Sequence, residues 1–415
     1  MKSMLRFHNS TIVITAIFLG VLLLTQCINK EADKKEAEKN SSPEKEFAGS
    51  ATCANCHKNI YDSHILTSHY LTTRPALEKY IKGSFEKGKN RFAYDSGMVV
   101  VMEKRDSGFY QVGYINNQEK IARRFDIVVG SGAKGQTYIY RAGNYFVQLP
   151  VSYLTAAQQW ANSPQYPTHP VLFNRPITSR CMECHTTYAK KISPVKNVIE
   201  QLDHNSLIYG VDCEKCHGPA AKHVAFQTEN PKDTIARFII NPAKFSKAQS
   251  LDLCALCHGG ALHKTKPSFS FVAGDRLTDF FDIDTTIVSP DSIDVHGNQY
   301  GVLRSSKCFR MSTTMTCTTC HNPHENERGK LELFSQRCVS CHNTEHGPVC
   351  KLTKKMGTVI NNNCIDCHMP KVPSKFVTEL LPGQVEPTAA VIRSHYIKVY
   401  LEETKKFISG THSNK

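Results

Sequence analysis

Gly210-Val-Asp-Cys213-Glu-Lys-Cys216-His217-Gly-Pro219 contains a five-residue unit, Cys-x-x-Cys-His, that the chain repeats seven times. The other copies begin with Cys53-Ala-Asn-Cys56-His57, Cys181-Met-Glu-Cys184-His185 and Cys254-Ala-Leu-Cys257-His258. Cys317-Thr-Thr-Cys320-His321, Cys338-Val-Ser-Cys341-His342 and Cys364-Ile-Asp-Cys367-His368 follow. Fourteen of the 17 cysteines are used in this way. The spacing has a chemical reason. Two thiols three residues apart reach the two vinyl groups of one porphyrin and form thioethers, and the adjacent imidazole reaches the iron.

Zinc binding and thiol redox chemistry also use Cys-x-x-Cys. Neither requires a histidine after the second cysteine each time. With 19 His in 415 residues, chance fills that position about once in 22, so seven coincidences are excluded in practice. The reading is seven covalent haems c. The charge supports it. The net charge of +14 becomes +12 once a leader carrying Lys2 and Arg6 is removed. Seven haems bring fourteen propionates, which nearly cancel that excess. The basic composition is therefore no nucleic-acid footprint.

A low-potential iron takes a second histidine opposite the first. After the seven motif histidines, His8 near the start and His412 near the end, ten remain: His64, His69, His169, His204, His223, His263, His296, His324, His346 and His395. The preferred second ligands are His69, His223, His296, His324, His346 and His395. His324 follows His321 by three residues and His346 follows His342 by four. Such neighbours share a helix face and cannot easily flank one iron, so each is assigned to a neighbouring haem. Six ligands for seven irons mean that either one of the remaining histidines is the seventh ligand or one iron has an open or non-histidine position, and the small Cys-His-Gly-Gly surroundings of His258 make its haem the expected odd one.

Several segments resemble the cytochrome c-554 family. Cys53-x-x-Cys-His-Lys58 running through Tyr61 to Ser68-His69 is similar to its first haem segment, and Gly210 to Pro219 with His223 to its second. Cys317 to His324 and Cys364 to Pro370 are similar to segments of larger relatives, in the superfamily that includes hydroxylamine oxidoreductase and the multihaem nitrite reductases. The resemblance implies helices and loops wrapped around closely stacked haems, with His69, His223, His324 and His395 at distal-ligand positions. No Cys-x-x-Cys-Lys is present, and the motif count is seven where hydroxylamine oxidoreductase has eight. The resemblance therefore implies electron transfer more than a named catalysis.

The expected fold is mainly α and irregular, a multihaem cytochrome c fold around a haem chain with a small inserted antiparallel β module. Residues 1–26 read as a signal peptide: Lys2 and Arg6 precede an apolar run from Thr11 to Thr25. Leu24-Thr25-Gln26-Cys27 resembles a lipoprotein cleavage site, which makes Cys27 the membrane anchor. Residues 27–47 are a charged flexible linker; Asn29 to Phe47 holds five Lys and six acidic residues. Then come the haem 1 segment (48–84), the β insertion (85–150), a lobe for haems 2–4 (151–300) and a lobe for haems 5–7 (301–405). The insertion is read from β-branched and aromatic runs at 98–102, 109–115, 125–129 and 137–149, separated by turn residues.

Gly130-Ser-Gly132-Ala-Lys-Gly135 matches G-x-G-x-x-G, but a strand pattern follows it, so no helix N-terminus awaits a pyrophosphate. Cys308 and Cys350 are expected to form a disulfide in an oxidising compartment. The resulting expectation is an exported, periplasmic or cell-surface protein, lipid-anchored to a membrane. It transfers electrons between a redox donor and acceptor, without nucleic-acid or nucleotide partners and with no catalytic residue assigned. The alternative is an oxidoreductase acting on a small nitrogen or sulfur compound at one open haem.

Overall fold

A computed structural model describes residues 46–192, 199–283 and 297–412. The expected signal peptide, Cys27, nearly all of the linker and His296 lie outside them. The chain divides into Met1–Ala48 and Gly49–Lys415; everything below concerns the second unit. Among the described residues no helix is long and apolar enough to cross a membrane.

The expectation of a mainly α chain is overturned. The described residues are about 30% helical and 25% strand, with several antiparallel sheets. Strands run without a helix longer than one turn from Thr73 to Pro176: β1 (Thr73–Pro75), β2 (Arg91–Ala93), β3 (Met98–Arg105), β4 (Gly108–Ile115), β5 (Gln118–Arg124), β6 (Ile127–Val129), β7 (Gly135–Ala142), β8 (Tyr145–Gln148), β9 (Val151–Leu154), β10 (Gln159–Asn162) and β11 (Arg175–Pro176). Strands β2 to β5 form a four-stranded meander. A second sheet has the order β1-β6-β7-β8-β11, with β9 pairing both β7 and β10.

Local chemistry builds these hairpins. Asn116 and Asn117 both take positive φ, 51° and 62°, between β4 and β5. That conformation matches the right-handed twist of the flanking strands, and asparagine tolerates it. Gly130 and Gly132 have φ of 104° and 80° in the β6–β7 connection. A Cβ on Gly130 would sit 2.6 Å from the Gly135 carbonyl oxygen. The glycines thus serve a tight strand-to-strand turn, and no helix follows them.

Along β3 the inward side chains Val100 and Met102 are fully buried. They join an aromatic core with Phe92, Phe109, Phe125, Tyr138 and Trp160. The Phe125 and Tyr138 rings stack at 4.3 Å, and the Trp160 indole donates to the Ser84 carbonyl at 2.8 Å. This apolar core contains no motif cysteine.

Further hairpins lie among the motifs: β12 (Thr186–Lys191) with β13 (Leu202–Tyr209), β14 (His263–Lys264) with β15 (Phe281–Asp282), and β16 (Lys371–Glu379) with β17 (Thr388–Arg393). Their β-branched and aromatic content favours strands. The helices are short. The Lys247–His258 helix is the longest that carries a motif, and it starts at a capping box: Ser246 accepts from Gln249 N, and the Gln249 side chain returns to the Ser246 N–H. Asp212 caps Cys213–His217 through Oδ1 to Cys213 N, at 2.8 Å.

Candidate metal centres

Each motif curls through about one turn, which sets its histidine beyond its two thiols. Nδ1 of several motif imidazoles is then fixed. It donates to the Ile240 carbonyl from His217 (2.9 Å), to Pro348 from His342 (3.1 Å) and to Lys398 from His368 (3.0 Å). His185 Nδ1 lies 3.0 Å from Thr72 Oγ1. A donating Nδ1 leaves Nε2 as the lone-pair nitrogen, the tautomer a metal ligand needs. The candidate second ligands His223 and His395 follow the same rule, donating from Nδ1 to Arg237 (2.8 Å) and Arg393 (3.2 Å) carbonyls.

The rings meet in pairs drawn from distant parts of the chain. His217 and His324 have centroids 6.2 Å apart, as do His321 with His395 and His258 with His69. Two metal–nitrogen bonds of about 2 Å, each with roughly 1 Å from nitrogen to ring centre, add up to about 6 Å. The spacing is that of two imidazoles on opposite sides of one iron. Among the described residues no three His, Cys, Asp or Glu side chains gather to hold an ion by themselves. Donors in twos fit a porphyrin, which brings four nitrogens of its own; they do not make a tetrahedral zinc site. Burial also keeps these donors neutral. It pushes His69 down to about 4, helped by the positive potential of His258, and His395 down to about 4, helped by His321. A neutral imidazole is the ligating form. The residues present therefore fit haem c.

Other candidates are placed differently. His346 is exposed beside Glu345, 3.8 Å away. His223 sits on the Ala221–Glu229 helix. At His258, where the sequence suggests the odd iron, the His69 ring lies with its centroid 6.2 Å from that of His258. The expected Cys308–Cys350 disulfide is corrected: both are free thiols. Sequence reasoning undervalued His64. It is buried, 3.6 Å from Asp212 Oδ1, with its ring 6.3 Å from that of His324 and both ring nitrogens without a hydrogen-bond partner. Its position seven residues after His57 carries no signal for that placement.

Side-chain ties join motifs out of chain order. Gly49 N donates to buried Glu214 at 2.9 Å, linking the first motif to the third. Arg180, beside the second motif, donates to the Leu256 carbonyl of the fourth at 2.8 Å. The Lys247–His258 helix of the fourth motif packs against the Cys317–Thr319 turn of the fifth. Arg337, paired with buried Glu327, donates to the Cys320 carbonyl at 2.8 Å and joins the fifth to the sixth. Cys364 N donates to Ser335 Oγ at 3.0 Å and joins the sixth to the seventh. His395 is positioned through its carbonyl, which accepts from Ser306 Oγ at 3.0 Å.

Residues 156–218, which hold the second and third motifs, match the family model for cytochrome c554 and c-prime. The chain is 26% identical over 190 residues to the multiheme cytochrome MtrA of Shewanella baltica (strain OS185). That match takes in 40% of this chain and 53% of the relative, so the chain spans about half the length of the curated relative it matches. The crystal structure of the outer cell wall cytochrome OcwA is similar in fold, with a TM-score of 0.53 and 16% identity over 87% of this chain and 81% of that one.

Proposed function

We propose that this chain, a multihaem c-type cytochrome, carries seven haems and moves electrons outside the cytoplasm while tethered to a membrane through Cys27. The observation that carries the reading is the set of three imidazole pairs, each joining one motif histidine to a histidine from elsewhere at 6.2 Å. Bound haem supplies one-electron exchange without proton or atom transfer. The protein's part is to hold neutral imidazoles in a fixed tautomer, cover them with short helices and hairpins, and keep successive motifs adjacent. The ties described above place the fourth motif between the second and the fifth, and the sixth between the fifth and the seventh. The charged segment 27–47 spaces the body from the membrane. The partners are a quinol-linked donor and a periplasmic or cell-surface acceptor.

Protein-film voltammetry on the purified full chain tests this. The expected result is reversible, non-turnover waves that nitrite, hydroxylamine and sulfur oxyanions leave unchanged. A catalytic current with any of these would move the reading to an enzyme with an open iron.

A further inference from the structure

The Gly130–Gly135 turn of the β module has a use beyond its own hairpin. Gly130 N donates to the Thr72 carbonyl at 2.7 Å, with Gly130 at φ 104°. Thr72 N in turn donates to the His69 carbonyl at 3.2 Å. Both backbone groups of Thr72 are therefore engaged, and Thr73 and Arg74 beyond it pair with Val129 and Val128 of β6. The Thr72 side chain leaves this fixed backbone where the Tyr70–Thr72 turn passes into β1. It meets the second motif, with Oγ1 3.0 Å from His185 Nδ1. His69, which opens the same turn, has its ring centroid 6.2 Å from that of His258 in the fourth motif. One short turn, braced by the β module, thus reaches two motif imidazoles by different means.

Chemistry gives the Thr72–His185 contact its direction. A hydroxyl can donate or accept. If it donated to a bare Nδ1, the ring proton would sit on Nε2, and that nitrogen could not bind iron. Ligation through Nε2 leaves the proton on Nδ1, which donates to Thr72 Oγ1. His217, His342 and His368 donate to backbone carbonyls instead, acceptors that every residue type supplies. At His185 the acceptor is a side chain, so the identity of residue 72 decides whether it exists. We propose that Thr72 is the positioning residue of the second motif: its hydroxyl oxygen holds the His185 ring through Nδ1–H and lowers the reduction potential of the iron bound there. The proposal rests on the reading of Cys181, Cys184 and His185 as a haem site. An acceptor on Nδ1–H makes Nε2 the stronger donor and favours the oxidised iron, so its loss favours the reduced one. Arg180, beside the second motif, donates to the Leu256 carbonyl of the fourth, so Thr72 and His69 act on neighbouring motifs from one turn.

The test uses the full-length haem-loaded chain with Thr72→Val and Thr72→Ser. Valine keeps the shape and removes the acceptor, whereas serine keeps the oxygen and drops the methyl group. Peptide mapping first establishes haem on Cys181 and Cys184, and potentiometric titration with low-temperature EPR follows. In the valine chain one component of seven is expected to rise, by about tenfold in its reduction equilibrium, which is about 59 mV for one electron. Its EPR g values move with it, while the other six stay in place. The serine chain is expected to keep the wild-type potentials. Should valine block haem loading, Thr72→Ala removes the same acceptor with less bulk and carries the same expectation. A serine shift as large as the valine shift, or several components moving together, would report altered packing and overturn the proposal. Fully loaded valine and alanine chains with unmoved potentials overturn it as well. Absence of haem from Cys181 and Cys184 in the wild-type chain overturns both this proposal and the reading it rests on.

Discussion

Replacing His324 with alanine is expected to convert one low-spin iron of the seven to high spin, with the other six unchanged. The His324 ring is nearly parallel to that of His217, 18° between planes, with centroids 6.2 Å apart. Its backbone is held for the purpose: His324 N donates to Asn322 Oδ1 at 3.0 Å, and Asn322 N donates to Glu327 Oε2 at 3.0 Å. No chain connection within a hundred residues links the two rings, so the pairing is made by the fold. His64 lies almost as near, at 6.3 Å and 69°. The variant His64→Ala separates the two possibilities. It should leave every iron low spin, because among the described residues the His64 ring meets those of Tyr70 and His324 and that of no motif histidine. The measurement is low-temperature EPR of oxidised, haem-quantified protein. A His324→Ala chain with only low-spin signals would contradict the pairing.

The second expectation concerns pH. Glu379 ends β16 and is 6% exposed, and its Oε2 has no hydrogen-bond partner. Its Oε1 packs near Gly135 of β7, where the C-terminal hairpin meets the β module. Leu381 packs there with Leu154 and Ala161, and Asn162 N donates to the Leu380 carbonyl at 2.9 Å. The nearby cation Lys134 is engaged by the Val391 carbonyl, and the surrounding Arg328, Lys371 and Arg393 charges act on it. Burial pushes the Glu379 carboxyl up from 4.5 to about 7. The sign follows directly. Below about 4.5 the carboxyl is protonated in both folded and unfolded chains, and its contribution to stability is complete. Between about 4.5 and 7 the unfolded chain releases the proton while the folded chain keeps it, and stability falls. Above about 7 the loss is complete, up to about 3 kcal/mol. Glu379→Gln should remove that slope and leave the chain more stable than the wild type at pH 8, by up to the same amount. Urea midpoints followed by circular dichroism at pH 5 and pH 8 check it; an unchanged slope in the variant would contradict the assignment.

Legibility in the sequence differed with the kind of physics involved. The Cys-x-x-Cys-His units are local, and five residues suffice to read them. Strands such as Met98–Arg105 and Gly108–Ile115 are also legible, because alternation and a turn at Asp106-Ser107 are local signals. The extent of the strands was underread. Thr186–Lys191, Leu202–Tyr209, Lys371–Glu379 and Thr388–Arg393 lie between or just beyond motifs, where the resemblance implies helices and loops, and their pairing into hairpins is a tertiary outcome. The pairing of imidazoles was not legible. His69 meets His258, and His395 meets His321, through contacts between residues far apart in the chain. The glycines after His258 show the difficulty most clearly. Read alone they suggest open space, yet in the fold Ala255 crowds Gly259 and Asn298 packs against Gly260. Cys308 and Cys350 are matched in the sequence only as cysteines outside the motifs, and in the fold both are free thiols.

The most direct test of the account is the intact mass of the purified chain together with its low-temperature EPR spectrum. The account predicts the added mass of seven haems and low-spin signals only. Fewer than seven haems, or a high-spin signal amounting to one iron per chain in the wild-type protein, would contradict it.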